Sequence, residues 1–312
     1  MHRMKTLFYV GLIGLGLFEI AKVYFIMPMP GSQQMESIDL AYFLHTYRWY
    51  IRIIFMIMTI AGMMSAFKIK RRWLPVIPIL LVGYIVYYFN FRMTADRIFL
   101  EPRELSFVSK SSYLLGDSSL VIGVAHNGEA KAYPVRYIQY HHQVRDTVGG
   151  KSVMVTYCNV CRTGRVFEPV VNGSSENFRL VGMDHFNAMF EDATTRSWWR
   201  QATGEAVAGP LKGSSLPEVE SVQLSASKFF WMYPFGKIME GDKTFKNYYD
   251  TLGRYERGKS KSKLVRTDSL SWKEKSWIVG IQFGDVSKAY DWNELKEKRI
   301  INDKIGDKSV VL

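Results

Sequence analysis

Apolar positions along this chain fall into two regimes. Before residue 92 they form three long runs: 7–27, interrupted by Glu19 and Lys22; 49–67, with Arg52 near its start; and 73–91, with no charge. A helix needs about 20 apolar residues to cross a bilayer, so the pattern predicts three transmembrane helices. Trp49, Tyr50, Trp73, Tyr87 and Tyr88 lie near the run ends, where aromatic rings favour the interface. Beyond residue 92, short apolar runs alternate with Gly, Asp and Lys, as in a β-rich globular domain. The expected class is α+β: a membrane domain over 1–91 and an extracytoplasmic β-rich domain over 92–312.

Basic residues give the orientation. Arg3 and Lys5 precede the first run, and Lys68, Lys70, Arg71 and Arg72 fill the turn between the second and third. Both places belong on the cytoplasmic side. The loop from 28 to 48 carries Glu36 and Asp39 and little positive charge, so it faces outward. Three spans then leave the N-terminus cytoplasmic and 92–312 outside, which in a bacterium with an inner membrane means periplasmic or extracellular. The first run has no small-x-small site before Pro28, which favours a retained helix over a cleaved signal. Glu19 and Lys22, three residues apart, are read as an ion pair shielded by neighbouring helices.

The exterior region contains an internal repeat. Residues 121–155 and 278–312 align without a gap at an offset of 157: Gly123, Lys131, Ala132, Tyr133, Asp146, Gly149, Lys151, Ser152 and Val153 recur as Gly280, Lys288, Ala289, Tyr290, Asp303, Gly306, Lys308, Ser309 and Val310. Each copy reads as a ββαβ element. A strand turns at Asn127-Gly128 into a second strand, a helix spans about 135–144, and a Gly149-Gly150 turn opens a third strand. Shared residues are expected to be scaffold, and residues found in one copy only are candidates for chemistry. His141 and His142 stand where the second copy has Lys298 and Arg299, and the first copy alone runs on into Cys158-Asn159-Val160-Cys161.

That cysteine pair closes a predicted strand, a spacing that lets both sulfurs enter one site. Two chemistries use it: a redox dithiol, whose thiol pKa is lowered by its surroundings, or half of a metal's ligand set. Inert buried thiols are the third reading. A metal centre would add His141, with His185 as fourth ligand, and would take a transition metal (zinc, copper or iron). In the redox alternative, a thiol–disulfide oxidoreductase, His141 or Arg162 would stabilise a thiolate. A non-catalytic assembly module, with the pair as a clip, completes the alternatives, so enzymatic activity stays open. Asp192, Ser197, Trp199 and Gln201 could contact substrate or orient ligands, although Trp198 and Trp199 taken singly read as core anchors. His142 is not expected to ligate, and His126 and His45 read as surface.

With 47% hydrophobic and 14% aromatic residues, wholesale disorder is excluded, and two cysteines exclude a disulfide-stapled scaffold. The formal charge of +12 suggests anionic partners. An exterior domain argues against nucleic acid and for the lipid bilayer; the sequence names no protein partner. The basic stretch 257–263 reads as a solvated linker near anionic lipid.

Several motifs occur together in order: Tyr133-Pro134, His141, Asp146-Thr147-Val148-Gly149-Gly150, Thr156-Tyr157-Cys158-x-x-Cys161, Asp192-x-x-Thr195-x-Ser197-x-Trp199-x-Gln201, and Gly204-x-Ala206-x-x-Gly209-Pro210-Leu211-Lys212-Gly213. Over roughly residues 100–235 the chain resembles the uncharacterised family called domain of unknown function 3179. The resemblance implies a bacterial or archaeal protein, exported or membrane-attached, and brings no established activity. It implies family positions at His141, Cys158, Cys161, Asp192, Ser197, Trp199 and Gln201. The family's usual acid after the motif histidine is replaced here by His142.

Overall fold

The computed structural model describes residues 2–68, 70–252, 278–283 and 286–312; the basic stretch 257–263 lies outside them. Contacts divide the chain into two compact units, Met1–Ser260 and Lys261–Leu312.

The first unit begins with helices α1 (His2–Tyr24), α2 (Ile38–Thr46), α3 (Arg48–Ala66) and α4 (Val76–Phe91). Arg3–Tyr24 and Arg48–Ala66 are long and apolar enough to cross a membrane. The third apolar run gives a shorter helix. Pro75 starts it, so α4 has 16 residues and about 24 Å of length. Small residues let α1 and α3 approach: a Cβ on Gly11 would lie 2.7 Å from the Thr59 nitrogen, and one on Gly62 would lie 2.4 Å from the Met4 carbonyl.

The Glu19–Lys22 pair is made, at 3.0 Å, but it is half of a larger cluster. Arg52 Nε donates to Glu19 Oε1 at 2.5 Å, and Asn90 Nδ2 donates to Glu19 Oε2 at 2.8 Å. Lys22 and Arg52 both donate to Asn90 Oδ1. Three helices thus satisfy one buried carboxylate, the arrangement that an apolar surrounding demands.

Three sheets follow. Strands β1 (Phe107–Val108), β2 (Leu120–His126), β3 (Glu129–Pro134), β13 (Val222–Ser225) and β14 (Lys237–Met239) form the first, in the order β1-β14-β3-β2-β13. Strands β4 (Gln143–Val148), β5 (Lys151–Cys158) and β6 (Thr163–Phe167) form an antiparallel middle sheet. A small hairpin, β7 (Val170–Val171) and β8 (Ser174–Ser175), leads to the third: β9 (Phe178–Asp184), β10 (Asn187–Asp192), β11 (Trp198–Arg200) and β12 (Ala206–Ala208). Helices α5 (Ala95–Ile98), α6 (Val135–His141), α7 (Ala226–Met232) and α8 (Lys246–Thr251) complete the unit, with Val135 and Ile138 of α6 in the core of Ile122 and Val144 and Phe229 and Phe230 of α7 in that of Val121, Ala132 and Ile238.

Strand period explains why the cysteine points where it does. Alternate residues of a strand face opposite sides. Val153, Val155 and Tyr157 of β5 join one core with Ile122, Tyr133, Val144 and Val166. Met154 and Cys158 join another, with Phe178, Met189, Phe190, Trp198 and Trp199. The middle sheet is covered on both faces, and Cys158 is aimed at the β9–β10 hairpin.

The segment after α1 docks on that hairpin. Met183 N–H donates to the Ile26 carbonyl at 2.7 Å. A Cβ on Gly182 would lie 2.1 Å from the same oxygen. Gly182→Ala is therefore expected to destabilise the full chain by at least about 2 kcal/mol, read as a lower melting temperature in detergent. A neutral effect would mean that this contact is not formed.

The structure alters the reading of the first repeat copy. The helix ends at His141, because His142 adopts a left-handed conformation (φ 62°) that closes it. Two strands, β4 and β5, then follow where one was expected. His142 is itself buried, with Nδ1 3.2 Å from the Tyr140 carbonyl. Lys131 Nζ and the Tyr133 hydroxyl both donate to Asp146 Oδ2, at 3.0 and 2.7 Å, and Thr147 N–H donates to Asp146 Oδ1.

The second unit, taken by itself, contains β15 (Ile278–Phe283), β16 (Val286–Asp291), α9 (Trp292–Lys298), β17 (Asn302–Ile305) and β18 (Lys308–Val311). Arg299, after the helix, is left-handed at φ 63°. Tyr290 donates to Asp303 Oδ2 at 3.0 Å, Lys288 pairs with that oxygen at 2.6 Å, and Lys304 N–H donates to Asp303 Oδ1. Asp303 thus joins the β15–β16 hairpin to the β17–β18 hairpin.

Candidate functional site

Cys158 ends β5 and is buried, whereas Cys161, at the end of the turn, is exposed; both thiols are free. Their sulfurs lie 3.4 and 3.5 Å from one acceptor, the Phe186 carbonyl. The neighbouring Cys161 side chain is the largest influence holding the Cys158 pKa well below the ordinary thiol value; burial opposes it, and the amides of Cys161, Ala188 and Val160 reinforce it. The Cys161 pKa is pushed up, first by its interaction with the Cys158 side chain, and the Asn187 amide opposes the shift. The pair is thus split, with Cys158 drawn toward the lower pKa and Cys161 toward the higher.

The frame around the sulfurs is strained. His185 (φ 49°) and Phe186 (φ 62°) are both left-handed, joining the paired residues Asp184 and Asn187 in a two-residue hairpin loop. Asn-Gly favours this turn, and a bulky pair pays about 1–3 kcal/mol per residue. Arg162, next to Cys161, is left-handed at φ 57°. Gln33, from the segment between α1 and α2, accepts from Phe186 N–H at 3.1 Å, and it is buried. Asn187 Nδ2 donates to Cys161 Sγ at 3.5 Å and to Gln201 Oε1 at 3.1 Å. Gln201 Nε2 in turn donates to Thr156 Oγ1 and the Thr163 carbonyl. Gln201 therefore supports the cysteine site through Asn187, a residue that sequence reasoning did not single out. Gln33 and Phe186 were also missed. A backbone carbonyl acceptor leaves no mark in the sequence; only a bulky residue beside a tight turn hints at it.

The histidines stand elsewhere. His141 is buried, and Nδ1–H donates to the Leu100 carbonyl while Nε2 lies 2.6 Å from the Tyr249 hydroxyl. Burial pushes its pKa down to about 4, although the Leu100 contact raises it. A neutral ring donating at Nδ1 accepts at Nε2, so Tyr249 is the donor and neither nitrogen is open to a metal. His185 sets Nδ1 2.7 Å from Asp184 Oδ1 and Nε2 3.5 Å from Glu36 Oε1. Among the described residues, no three His, Cys, Asp or Glu side chains stand together as a metal group. Arg162 bonds the Tyr157 side chain and is not among the groups that lower the Cys158 pKa. His45, read as surface, is largely buried: its ring packs on Trp198, 5.4 Å between centroids.

Asp192, Ser197 and Trp199 form a closed knot. Asp192 Oδ2 accepts from Thr195 Oγ1 (2.6 Å), Ser197 N–H (3.0 Å) and Trp199 Nε1 (2.9 Å). Burial opposes the Asp192 charge, but these bonds, led by Thr195 and Trp199, outweigh it and hold the pKa below the usual carboxylate value. Trp198 Nε1 donates to Glu191 Oε2 at 2.9 Å, and both tryptophans are core residues. The knot shapes the hairpin that carries the site.

A mixed α+β chain with two apolar helices and a β-rich region that houses a reduced cysteine pair is the class this architecture defines. Residues 101–312 match the family described as protein of unknown function (DUF3179), and the chain belongs to that family. The match extends beyond the motifs at 100–235, to residue 312. Comparison with curated proteins and with solved structures returned no match.

Proposed function

We propose that this is a membrane-tethered thiol–disulfide exchange protein whose working groups are Cys158 and Cys161. The observation that carries this reading is the asymmetry of the pair: a buried Cys158 beside an exposed Cys161, both sulfurs within 3.5 Å of the Phe186 carbonyl, with the Cys158 pKa drawn down. The metal reading finds less support, because His141 spends both ring nitrogens on Leu100 and Tyr249.

The asymmetry favours donation of a disulfide. In the oxidised pair, a thiolate from a partner dithiol attacks the exposed Cys161 Sγ. The Cys158–Cys161 bond breaks, and its electron pair leaves on Cys158, the better leaving group because its thiolate is stabilised. The partner's second thiolate then attacks the partner's own sulfur in the mixed disulfide. That forms the partner's disulfide and releases Cys161, which takes up a proton. Two electrons pass from partner to pair; of the two protons lost by the partner, one goes to Cys161 and one to solvent.

The orientation proposed is domain-outside. Its support is that the segment after α1 and helix α2 pack on the exterior domain: Tyr42 meets Trp198 edge to face at 5.1 Å, and Lys212 pairs with Asp39 at 2.7 Å. The loop between the first two apolar helices and the domain therefore share one side of any membrane those helices cross. The second unit, with the same clamp and no cysteine, is proposed as a duplicated scaffold without the chemistry.

The test is thiol counting by alkylation and mass spectrometry on the full chain. Reduced protein should take two alkyl groups, and mildly oxidised protein none while remaining monomeric. Two alkylatable thiols after oxidation would contradict the proposal, as would a stoichiometric metal that blocks them.

A further inference from the structure

A cavity of about 250 Å³ lies where the apolar helices meet the exterior domain. Four cationic side chains line it: Lys22 of α1, Arg48 of α3, Arg179 of β9 and Arg196 of the turn before β11. Glu191 is the one carboxylate lining it, and His45 is the remaining ionisable group. Some of the charge is answered. Arg179 lies 2.9 Å from Glu191 Oε1 and 3.4 Å from Asp96, and Arg196 reaches Glu191 only at 3.4 Å. Lys22 pairs with Glu19, which Arg52 shares. Counting those groups behind the wall, five cations still face three carboxylates. Arg48 spends a guanidinium hydrogen on the His45 carbonyl, a neutral acceptor.

Like charges gathered in a partly enclosed space repel strongly, because little water screens them. Arg179 Nη2 and His45 Nε2 are 3.3 Å apart, with Arg179 the donor. Burial, then Arg48, Arg179, Lys22 and Arg196, pushes the His45 pKa down to about 3 despite Glu191 nearby. The ring is neutral at any ordinary pH, and the excess positive charge stands. Its position is informative. The cations lie at the end of the helices where the domain begins, the face on which the loop from 28 to 48 otherwise carries acids. Topology does not call for basic residues on that face.

We propose that this cavity is a binding site for a phosphate group, seated between Arg48, Arg179 and Arg196 with Lys22 at its floor. The chemistry fits: arginine presents paired donors matched to phosphate oxygens, and at about 30 Å³ per water the space holds a phosphoryl group with several waters. Lys22 is almost fully buried, and the Arg196 side chain is 64% exposed. The site therefore has a closed floor and an open rim, which would admit a ligand from the side. At the level where apolar helices end, phospholipid phosphates lie beside it; free phosphate could enter by the same rim.

Full-length protein, purified in a phosphate-free sugar detergent and stripped of lipid, is titrated calorimetrically. One titration uses inorganic phosphate and the other a short-chain phosphatidylglycerol. The expected result is saturable one-to-one binding of at least one of them. Arg196→Gln and Arg179→Gln should each weaken it about tenfold or more, and Arg196→Lys should recover part of the loss. Binding of the lipid alone assigns the site to headgroups, and binding of inorganic phosphate assigns it to the free anion; either supports the site. Should Arg179→Gln not fold, Arg196→Gln decides, since its contact with Glu191 is long and its side chain exposed. No saturable binding of either ligand, or equal binding by wild type and a folded Arg196→Gln, overturns the proposal. The thiol count is independent of both outcomes.

Discussion

Wild-type protein treated with an aromatic disulfide reagent is expected to release two equivalents of aromatic thiolate, Cys158→Ser one, and Cys161→Ser almost none. Access decides the order. Cys161 is exposed and attacks first, as the thiolate left when its proton passes to Cys158, forming a mixed disulfide and releasing the first equivalent. Cys158, buried beside it, attacks that sulfur from within and expels the second equivalent. Without Cys158, the adduct on Cys161 persists and is seen by mass. Without Cys161, the remaining thiol has lost the largest influence lowering its pKa and is enclosed by the β9–β10 hairpin, and no reagent reaches it. Equal single release by both serine variants would show that burial does not distinguish the two sulfurs. The wild-type thiolate absorbance should titrate below the free-cysteine value of about 8.5. In the reduced protein, stability should rise with pH between the folded and unfolded Cys158 pKa values. There the unfolded chain binds the extra proton, and stability is lost as pH falls through the lowered folded value. Cys158→Ser should lack this slope.

The second large effect falls on Asp192. Asp192→Ala removes the acceptor for two buried N–H groups and the Thr195 hydroxyl at once. An orphaned buried donor costs about 1–3 kcal/mol, so a loss of about 4 kcal/mol is expected in urea denaturation of the full chain in detergent. Tryptophan fluorescence is a direct probe, because Trp199 is one of the donors. Asp192→Asn keeps one acceptor oxygen but turns an amide toward donors, and should lose about half as much. The carboxylate's lowered pKa has a sign: its stabilisation is present above the unfolded value near 4 and is lost as pH falls through the folded one. A change under about 1 kcal/mol for Asp192→Ala would mean that the knot is not closed.

What could be read from the chain and what could not divide along physical lines. Local signals held where they concern neighbours in sequence. The first two apolar runs became α1 and α3, the Asn127-Gly128 and Gly149-Gly150 turns separate paired strands, and β5 ends on Cys158. Lys131 and Tyr133 both donate to Asp146, 15 and 13 positions on. Contacts across long stretches of chain were not legible. Asn90 meets Glu19 over 71 positions and Tyr249 meets His141 over 108, and neither residue type announces its partner. His141 looked like a ligand because a histidine upstream of two cysteines fits a metal pattern. Its hydrogen bonds to a carbonyl and a phenol fit any buried histidine equally well. The third apolar run yielded a shorter helix because Pro75 stops the chain from being helical earlier. His45 looked like a surface residue because only tertiary packing puts Trp198 over it.

The central claim is that Cys158 and Cys161 form an exchange-competent couple whose reduced state is favoured by a stabilised thiolate. The direct measurement is the reduction potential of the pair, from the oxidised fraction of full-length protein equilibrated in glutathione buffers. The account predicts a two-electron couple more oxidising than about −230 mV, above the range of structural disulfides. A potential below about −300 mV, or no Cys158–Cys161 disulfide at any poise, would contradict it.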